Sequence, residues 1–147
     1  MNTVNQSSLK LEDQICFPLY AASREIIKQY KPYLDEIDLT YTQYLTMMLL
    51  WEHDTMTVKE IGEILYLDSG TLTPLLKKLE GKGYLTRTRS TTDERNLNVA
   101  LTEVGKSLRE RAKDIPQKMA ENLSLTDAEK AELSSILQKI LKNTDKY

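Results

Sequence analysis

The sequence predicts a mostly α-helical fold that carries one small β-hairpin. Three capping boxes, in which a threonine precedes Glu or Gln by three residues, each begin a stretch with helical apolar spacing. They pair Thr40 with Gln43, Thr57 with Glu60, and Thr126 with Glu129. The apolar alternation of a half-buried strand occurs instead at Leu97, Val99 and Leu101. Helices therefore dominate, and one hairpin interrupts them.

Length and composition fit a single domain spanning residues 1–147. Apolar residues make up 40% and charged residues 29% of the chain, which suits a protein that buries a core. No run approaches the roughly 20 apolar residues of a membrane span, and the polar residues 1–8 do not resemble a signal peptide. Cys16 is the only cysteine, so we expect the protein to be located in the reducing cytoplasm. We expect no membrane partner.

The order of elements follows from these start signals and from the residues that end helices. Capping boxes begin helices 2, 3 and 6, Thr102 begins helix 5 more weakly, and Gly83 ends helix 4. Prolines remove helical hydrogen bonds. Pro18 therefore implies that helix 1 starts late or bends, and Pro116 implies a kink in helix 5. The predicted elements are helix 1 at 10–34, helix 2 at 41–53, helix 3 at 57–65, helix 4 at 69–82, strands at 84–89 and 96–101 only, helix 5 at 102–122 and helix 6 at 126–143.

Helix 4 is the clearest amphipathic element. Its apolar stripe consists of Leu72, Leu75, Leu76 and Leu79. Small hydroxyl residues at a helix start, with lysines further along, suit a helix whose N-terminal end enters the DNA major groove. On lysines alone, a solvated helix face would explain the pattern. The other face or the start of the helix carries Ser69, Gly70, Thr71, Thr73, Pro74, Lys77 and Lys78.

The neighbours of helix 4 favour DNA binding. A short helix 3 and the tight connection 66–68 precede it, as in a helix-turn-helix, and a hairpin with Arg87 and Arg95 follows. Arginine on an extended hairpin suits a narrow minor groove. Net charge is −6 over residues 1–68, +3 over 69–95 and +1 over 96–147, so one basic segment stands on an acidic body. This combination predicts a winged helix that binds double-stranded DNA.

The segments Leu67–Glu80, Asp93–Arg95 and Leu101–Glu103 resemble the MarR family of winged-helix repressors over residues 10–122. Segments 11–17, 28–32 and 39–44 narrow the resemblance to one-cysteine organic-hydroperoxide sensors of the OhrR type and their staphylococcal relatives. The resemblance implies a homodimer on a pseudo-palindromic operator, with 10–34 and 102–147 dimerising and 41–101 binding DNA. It further implies DNA contacts from Ser69, Gly70, Thr71, Thr73, Lys77, Asp93 and Arg95.

The same resemblance implies that Cys16 senses peroxide, and that Tyr30 and Tyr41 of the partner subunit contact it. Along a continuous helix Cys16 and Tyr30 are 14 residues apart, or about 21 Å, yet lie within about 40° of the same face. An antiparallel partner helix could therefore join them. Tyr20 and Arg24 share that face and are predicted local neighbours of the thiol.

In this interpretation a hydroperoxide oxidises Cys16, a low-molecular-weight thiol caps it, and the operator is released.

Three alternatives remain. Cys16 could be an inert core residue, with a phenolic ligand releasing the repressor. An enzyme is disfavoured because His53 is the only histidine and no second cysteine is present. One His and one Cys also argue against a metal site, and no cofactor is expected.

Overall fold

The computed structural model describes residues 8–89 and 97–144, and it confirms a mostly helical chain with a small antiparallel sheet. A 3₁₀ turn at Leu11–Asp13 precedes the first helix. The elements are α1 Cys16–Asp35, α2 Tyr41–His53, β1 Thr55–Thr57, α3 Val58–Leu65, α4 Ser69–Gly81, β2 Leu85–Arg89, β3 Leu97–Leu101, α5 Glu103–Ala112, α6 Ile115–Leu123 and α7 Asp127–Lys142.

Helix α1 starts at Cys16, later than the expected start at residue 10. Pro18 is thereby the third residue of the helix. Backbone N–H groups of the first turn have no partner within a helix, so a proline there breaks no bond. The later start is one of the two outcomes that Pro18 implied, and it places the thiol on the first residue of α1.

Threonine caps begin the helices as predicted. Thr40 and Thr126 form complete capping boxes, whereas Thr57 forms only half of the predicted one, in which its side chain accepts the backbone N–H of Glu60. Thr102 caps α5 by accepting from the N–H of Gly105 at 3.1 Å. These signals depend on residues three apart in the chain, which is why the sequence alone reveals them.

The expectation of only two strands was wrong, because β1 forms a third. Its three residues pair antiparallel with β3, Met56 facing Val99, and the sheet order is β1-β3-β2. Thr57 ends the strand and also caps α3. The sequence pattern at this point therefore indicated the start of a helix and not a strand. A strand this short carries almost no periodicity of its own.

Helix 5 was predicted as one element over 102–122, and the structure divides it into α5 and α6. The break falls at Lys113–Asp114, and Pro116 is the second residue of α6. Proline favours the first turn of a helix because its N–H is not needed there. The chain therefore turns before Pro116, and the predicted kink is a complete break.

The core lies between α2, α3, α4 and the sheet. The leucine stripe of α4 is buried as predicted, each side chain at most 8% exposed, and Met47, Leu50, Ile61 and Val99 are fully buried with it. By contrast α7 has no buried residue, and α1 buries only Leu34. Within residues 8–89 and 97–144, no helix is long and apolar enough to cross a bilayer.

Gly105 is required where α5 passes the start of β2. A Cβ atom there would lie 2.0 Å from the Tyr84 carbonyl oxygen, and the Gly105 carbonyl also accepts a hydrogen bond from the Trp51 indole at 2.9 Å. We expect Gly105→Ala to push α5 outwards and lower the free energy of unfolding by about 3 kcal/mol, at the upper end of overpacking costs.

Urea unfolding at a fixed protein concentration measures this loss. Gly81→Ala is the matched control, because its Cβ would meet nothing within 4 Å, and it should leave the midpoint unchanged or slightly raised. Equal midpoints for Gly105→Ala and the wild type would contradict the prediction.

Candidate nucleic-acid interface and thiol site

The N-terminal end of α4 is built by a side-chain cap. The Oδ1 atom of Asp68 accepts a hydrogen bond from the backbone N–H of Thr71 at 2.7 Å. Hydrogen bonds from the Thr71 side chain and backbone lower the pKa of Asp68, so the cap stays ionised near neutral pH. Ser69, Gly70 and Thr71 are exposed in this first turn. Their position lets hydroxyl and backbone N–H groups reach an anion in front of the helix.

The predicted DNA-contacting residues of helix 4 lie either in the first turn of α4 or on the side that faces away from its leucine stripe. Lys77 and Lys78 are exposed, and Thr73 is partly buried. The structure thus brings Ser69, Gly70, Thr71, Thr73, Lys77 and Lys78 onto one helix.

Gly62 makes the tight turn between α3 and α4 possible, and sequence reasoning missed it. Leu67 donates its backbone N–H to the Gly62 carbonyl at 3.0 Å, and Tyr66 adopts left-handed backbone with φ of 57°. A Cβ on Gly62 would lie 2.8 Å from the Leu67 carbonyl oxygen. A glycine inside a short amphipathic helix was the available signal.

The base of the hairpin lies against α4 through an ion pair. Its α4 member, Glu80, is a second residue that the sequence did not reveal. Arg87 of β2 contacts Glu80 of α4, with 3.1 Å between Arg87 Nη2 and Glu80 Oε1. The Arg87 side chain is only 16% exposed, whereas Arg89 further along the strand is exposed. The predicted wing residues Asp93 and Arg95 lie outside the described residues.

Cys16 is exposed, so the interpretation of the thiol as a residue of the chain's own core was wrong. Tyr20, one turn further along α1, is also exposed. The guanidinium of Arg24 lies 5.3 Å from the centre of the Tyr20 ring. The predicted face of α1 therefore presents a thiol, a phenol and a cation to solvent in the single chain.

Tyr30 and Tyr41 form a cluster with Tyr44, which the sequence analysis did not single out. Ring centres are 4.8 Å apart for Tyr30 and Tyr41, and 5.8 Å apart for Tyr30 and Tyr44. Burial raises the pKa of each phenol, assisted at Tyr30 by Tyr41, and the pKa of Tyr44 reaches about 12. The hydroxyls therefore stay protonated at neutral pH and can donate hydrogen bonds. Tyr44 follows Tyr41 at the helical spacing of three, which was the signal for it.

The thiol and this tyrosine cluster are far apart within one chain. Cys16 and Tyr30 both belong to α1, which is continuous over its 20 residues. Fourteen residues of helix separate their Cα atoms by about 21 Å.

The corner between α1 and α2 is tied to the end of α4 and to α5. Lys82, which follows α4, donates to the Asp38 carbonyl and lies 3.3 Å from the Asp38 carboxylate. Arg111 of α5 donates to the Glu36 carbonyl at 2.5 Å. The corner between the helices that carry the tyrosine cluster is thus joined to the end of α4 by Lys82 and to α5 by Arg111.

A half-open cleft of about 330 Å³ separates α2 from α5 and α6. It has an aromatic and apolar wall and a charged rim. Its lining residues are Tyr44, Met48, Trp51, Glu52, Arg109, Ala112, Lys113 and Pro116. Among the described residues, no group of three or more His, Cys, Asp or Glu side chains could hold a metal ion.

A helix-turn-helix followed by a hairpin, on a scaffold of helices, defines the class of winged-helix transcriptional regulators. The chain belongs to the SarA/Rot family of these regulators, whose family model matches residues 28–112.

Three similar proteins fit this class. An organic hydroperoxide resistance transcriptional regulator of Bacillus subtilis is 61% identical over 108 residues, 74% of each chain. The HTH-type transcriptional regulator SarZ of Staphylococcus epidermidis is 47% identical over 137 residues, covering 92% of this chain and 93% of SarZ. The structure of reduced AbfR bound to DNA superposes with a TM-score of 0.76 at 35% identity, covering 90% of this chain and 92% of AbfR. These similarities confirm the predicted resemblance.

Proposed function

We propose that this protein is a DNA-binding repressor that senses organic hydroperoxides through Cys16 and then releases its operator. The observation that carries the proposal is the exposed thiol at the first residue of α1, on a winged-helix chain. The similarity to a hydroperoxide resistance regulator supports this choice among the functions of the class.

The working unit is a homodimer in this proposal. Apolar side chains stand exposed near the start of α1 and along α7, where a partner chain can cover them. They include Ile15, Phe17, Leu19, Leu133, Ile136 and Ile140. Residues 10–34 and 102–147 form the dimerisation part, and 41–101 bind DNA.

Each subunit places the first turn of α4 in the major groove of one half-site. Ser69, Gly70, Thr71 and Thr73 approach base edges and phosphates there, while Lys77 and Lys78 neutralise backbone charge. Arg95, oriented by Asp93, reaches the adjacent minor groove. Two-fold symmetry of the protein then matches a pseudo-palindromic operator.

Sensing is a two-electron oxidation of the Cys16 sulfur. The thiolate attacks the terminal oxygen of the hydroperoxide and the O–O bond breaks, which gives a sulfenic acid and an alkoxide that takes up one proton to become an alcohol. A low-molecular-weight thiol then forms a mixed disulfide with loss of water. Protonated hydroxyls of the tyrosine cluster supply donors for the oxidised sulfur if that cluster belongs to the partner subunit.

Release follows because α1 is tied to the end of α4. Oxidation that moves α1 also moves the α1–α2 corner, which Lys82 and Arg111 hold. The two recognition helices must stay about 34 Å apart to occupy successive major grooves, so a shift of a few ångströms lowers affinity.

The test is a gel shift on the promoter region upstream of the gene for this protein. Reduced protein should retard the duplex, and an organic hydroperoxide with a small thiol should abolish the shift. Retardation that survives complete oxidation of Cys16, verified by mass spectrometry, would contradict the sensing role.

Lys77→Gln should weaken operator binding about fivefold and lower the slope of log affinity against log salt by about one, since one phosphate contact is lost. Binding to a scrambled duplex should weaken equally. Fluorescence anisotropy over a salt series measures both quantities. Lys142→Gln, at the end of α7, is the control of equal charge change and should leave the slope alone. An unchanged salt slope for Lys77→Gln would contradict the predicted phosphate contact.

A second candidate is a repressor that a small phenolic acid releases, with Cys16 only structural. The cleft between α2 and α5–α6 favours it, because Tyr44 and Trp51 offer aromatic surface and Arg109 and Lys113 offer cations for a carboxylate. Operator release by an aromatic acid, equal in wild type and Cys16→Ser, would support this alternative over hydroperoxide sensing.

Catalysis forms no part of the proposed function. The relatives are transcriptional regulators, and a thiol that needs an external reductant after each oxidation suits a signal better than turnover. The proposed place of action is the cytoplasm, where the target DNA lies.

A further inference from the structure

Glu80 binds Arg87 through both of its carboxylate oxygens. Glu80 Oε2 accepts the backbone N–H of Arg87 at 3.1 Å. Glu80 Oε1 accepts from Arg87 Nη2 at 3.1 Å and from Nε at 3.4 Å. A planar guanidinium and a carboxylate that meet in this way fix direction as well as distance. One side chain of α4 therefore holds both the backbone and the side chain of a β2 residue.

Arg87 is less exposed than an arginine that is free to bind a phosphate would be. The Arg87 side chain is 16% exposed, against 38% for Glu80. Across the sheet Arg87 is in register with Val99, which is fully buried, and Leu85 of the same β2 face enters the core. An arginine this covered contacts a phosphate only after it leaves Glu80, which would break both hydrogen bonds of its guanidinium to that carboxylate.

We propose that Glu80 and Arg87 are a positioning pair that fixes the base of the hairpin against the recognition helix α4. Arg87 then contributes to operator recognition through Glu80 and not by touching DNA, which changes the role that the sequence predicted for it. The inference rests on the proposed function, because it assigns the pair to the same DNA-binding surface.

The geometry explains why this contact matters beyond stability. Tyr84 and Leu79 already join the start of β2 to α4 by a backbone hydrogen bond of 3.1 Å. That bond fixes one point of the strand, and Arg87, three residues further on, fixes a second. Two fixed points set the direction in which β2 continues towards the hairpin tip, and therefore whether α4 and the hairpin reach adjacent grooves together.

Three variants test the pair: Glu80→Gln, Arg87→Gln and the double variant. Glutamine at 80 keeps an oxygen for the Arg87 backbone N–H but removes the charge that holds the guanidinium. We expect each single variant to bind the promoter duplex about tenfold more weakly under reducing conditions, and the double variant to be no weaker than either. Binding to a scrambled duplex should change less than about twofold.

Two further readouts separate positioning from phosphate contact, and the first of them does not depend on the fraction of folded protein. Arg87→Gln should keep the wild-type salt slope, because no counterion is released at this position. Arg87→Lys should stay impaired, since an ammonium keeps the charge but not the two-point geometry. Circular dichroism verifies the fold of each variant.

The opposite results would overturn the inference. Tighter promoter binding by Glu80→Gln would show that Glu80 withholds Arg87 from DNA. A slope lowered by about one in Arg87→Gln, recovery in Arg87→Lys, or additive losses in the double variant would each make Arg87 a direct contact. A wild-type protein that does not prefer the promoter duplex would instead overturn the proposed function, and this inference with it.

Discussion

Cys16→Ser is expected to bind the operator as wild type does and to ignore organic hydroperoxides. Serine replaces sulfur by oxygen with little change of shape, and Cys16 is exposed, so the core and α4 are unaffected. Oxidised wild type should bind about a hundredfold more weakly, a coupling of about 2.7 kcal/mol and within the usual range for allosteric sites. The variant should change less than about twofold. Anisotropy titrations of reduced and hydroperoxide-treated protein measure all four affinities.

The variant is also its own control for unspecific oxidation. The chain has five methionines, which Cys16→Ser retains, so any release caused by methionine sulfoxide would appear in both proteins. Dithiothreitol should restore binding of the oxidised wild type. Loss of affinity in Cys16→Ser without oxidant, or equal release of both proteins by hydroperoxide, would defeat the sensor assignment.

What the sequence revealed depends on how far apart in the chain the interacting residues are. The leucine stripe of α4 and the caps of Thr40 and Thr126 involve residues three or four apart, and the structure has them as predicted. The pairing of β1 with β3 joins residues more than forty apart. No local pattern encodes such a contact, so this strand was missed.

The candidate site divides in the same way. Residues of the first turn of α4 could be named because helical spacing and hydroxyl chemistry are local. Glu80 could not, because its partner Arg87 lies across a helix end, a turn and the start of a strand. Charge alone predicted Arg87 as a DNA contact, and the low exposure of its side chain became visible only with the fold. The alternative that Cys16 is a core residue stayed open for the same reason, since burial is a property of packing.

Mixed dimers should show that the tyrosine cluster acts on the thiol of the other subunit. One chain carries Cys16→Ser, and the other carries Tyr30→Phe with Tyr41→Phe, so the mixed dimer has a single thiol. That thiol lies about 21 Å along α1 from its own chain's altered position 30, and its partner keeps both hydroxyls. We expect it to form sulfenic acid at the wild-type rate, while the Tyr30→Phe, Tyr41→Phe homodimer reacts about tenfold more slowly, the effect of one lost hydrogen bond to a charged group.

A matched arrangement reverses the roles. Wild-type chain combined with a chain that carries all three substitutions also has one thiol, but now with its own hydroxyls present and the partner's absent. If Tyr30 and Tyr41 act across the interface, this dimer reacts slowly, and trapping with a dimedone probe measures the rate in both. Equal pH dependence up to pH 9 is expected, because burial raises the pKa of both phenols and keeps them protonated. Fast reaction here and slow reaction in the first dimer would place the contact within one chain, against the separation of about 21 Å that the continuous helix α1 imposes between Cys16 and Tyr30.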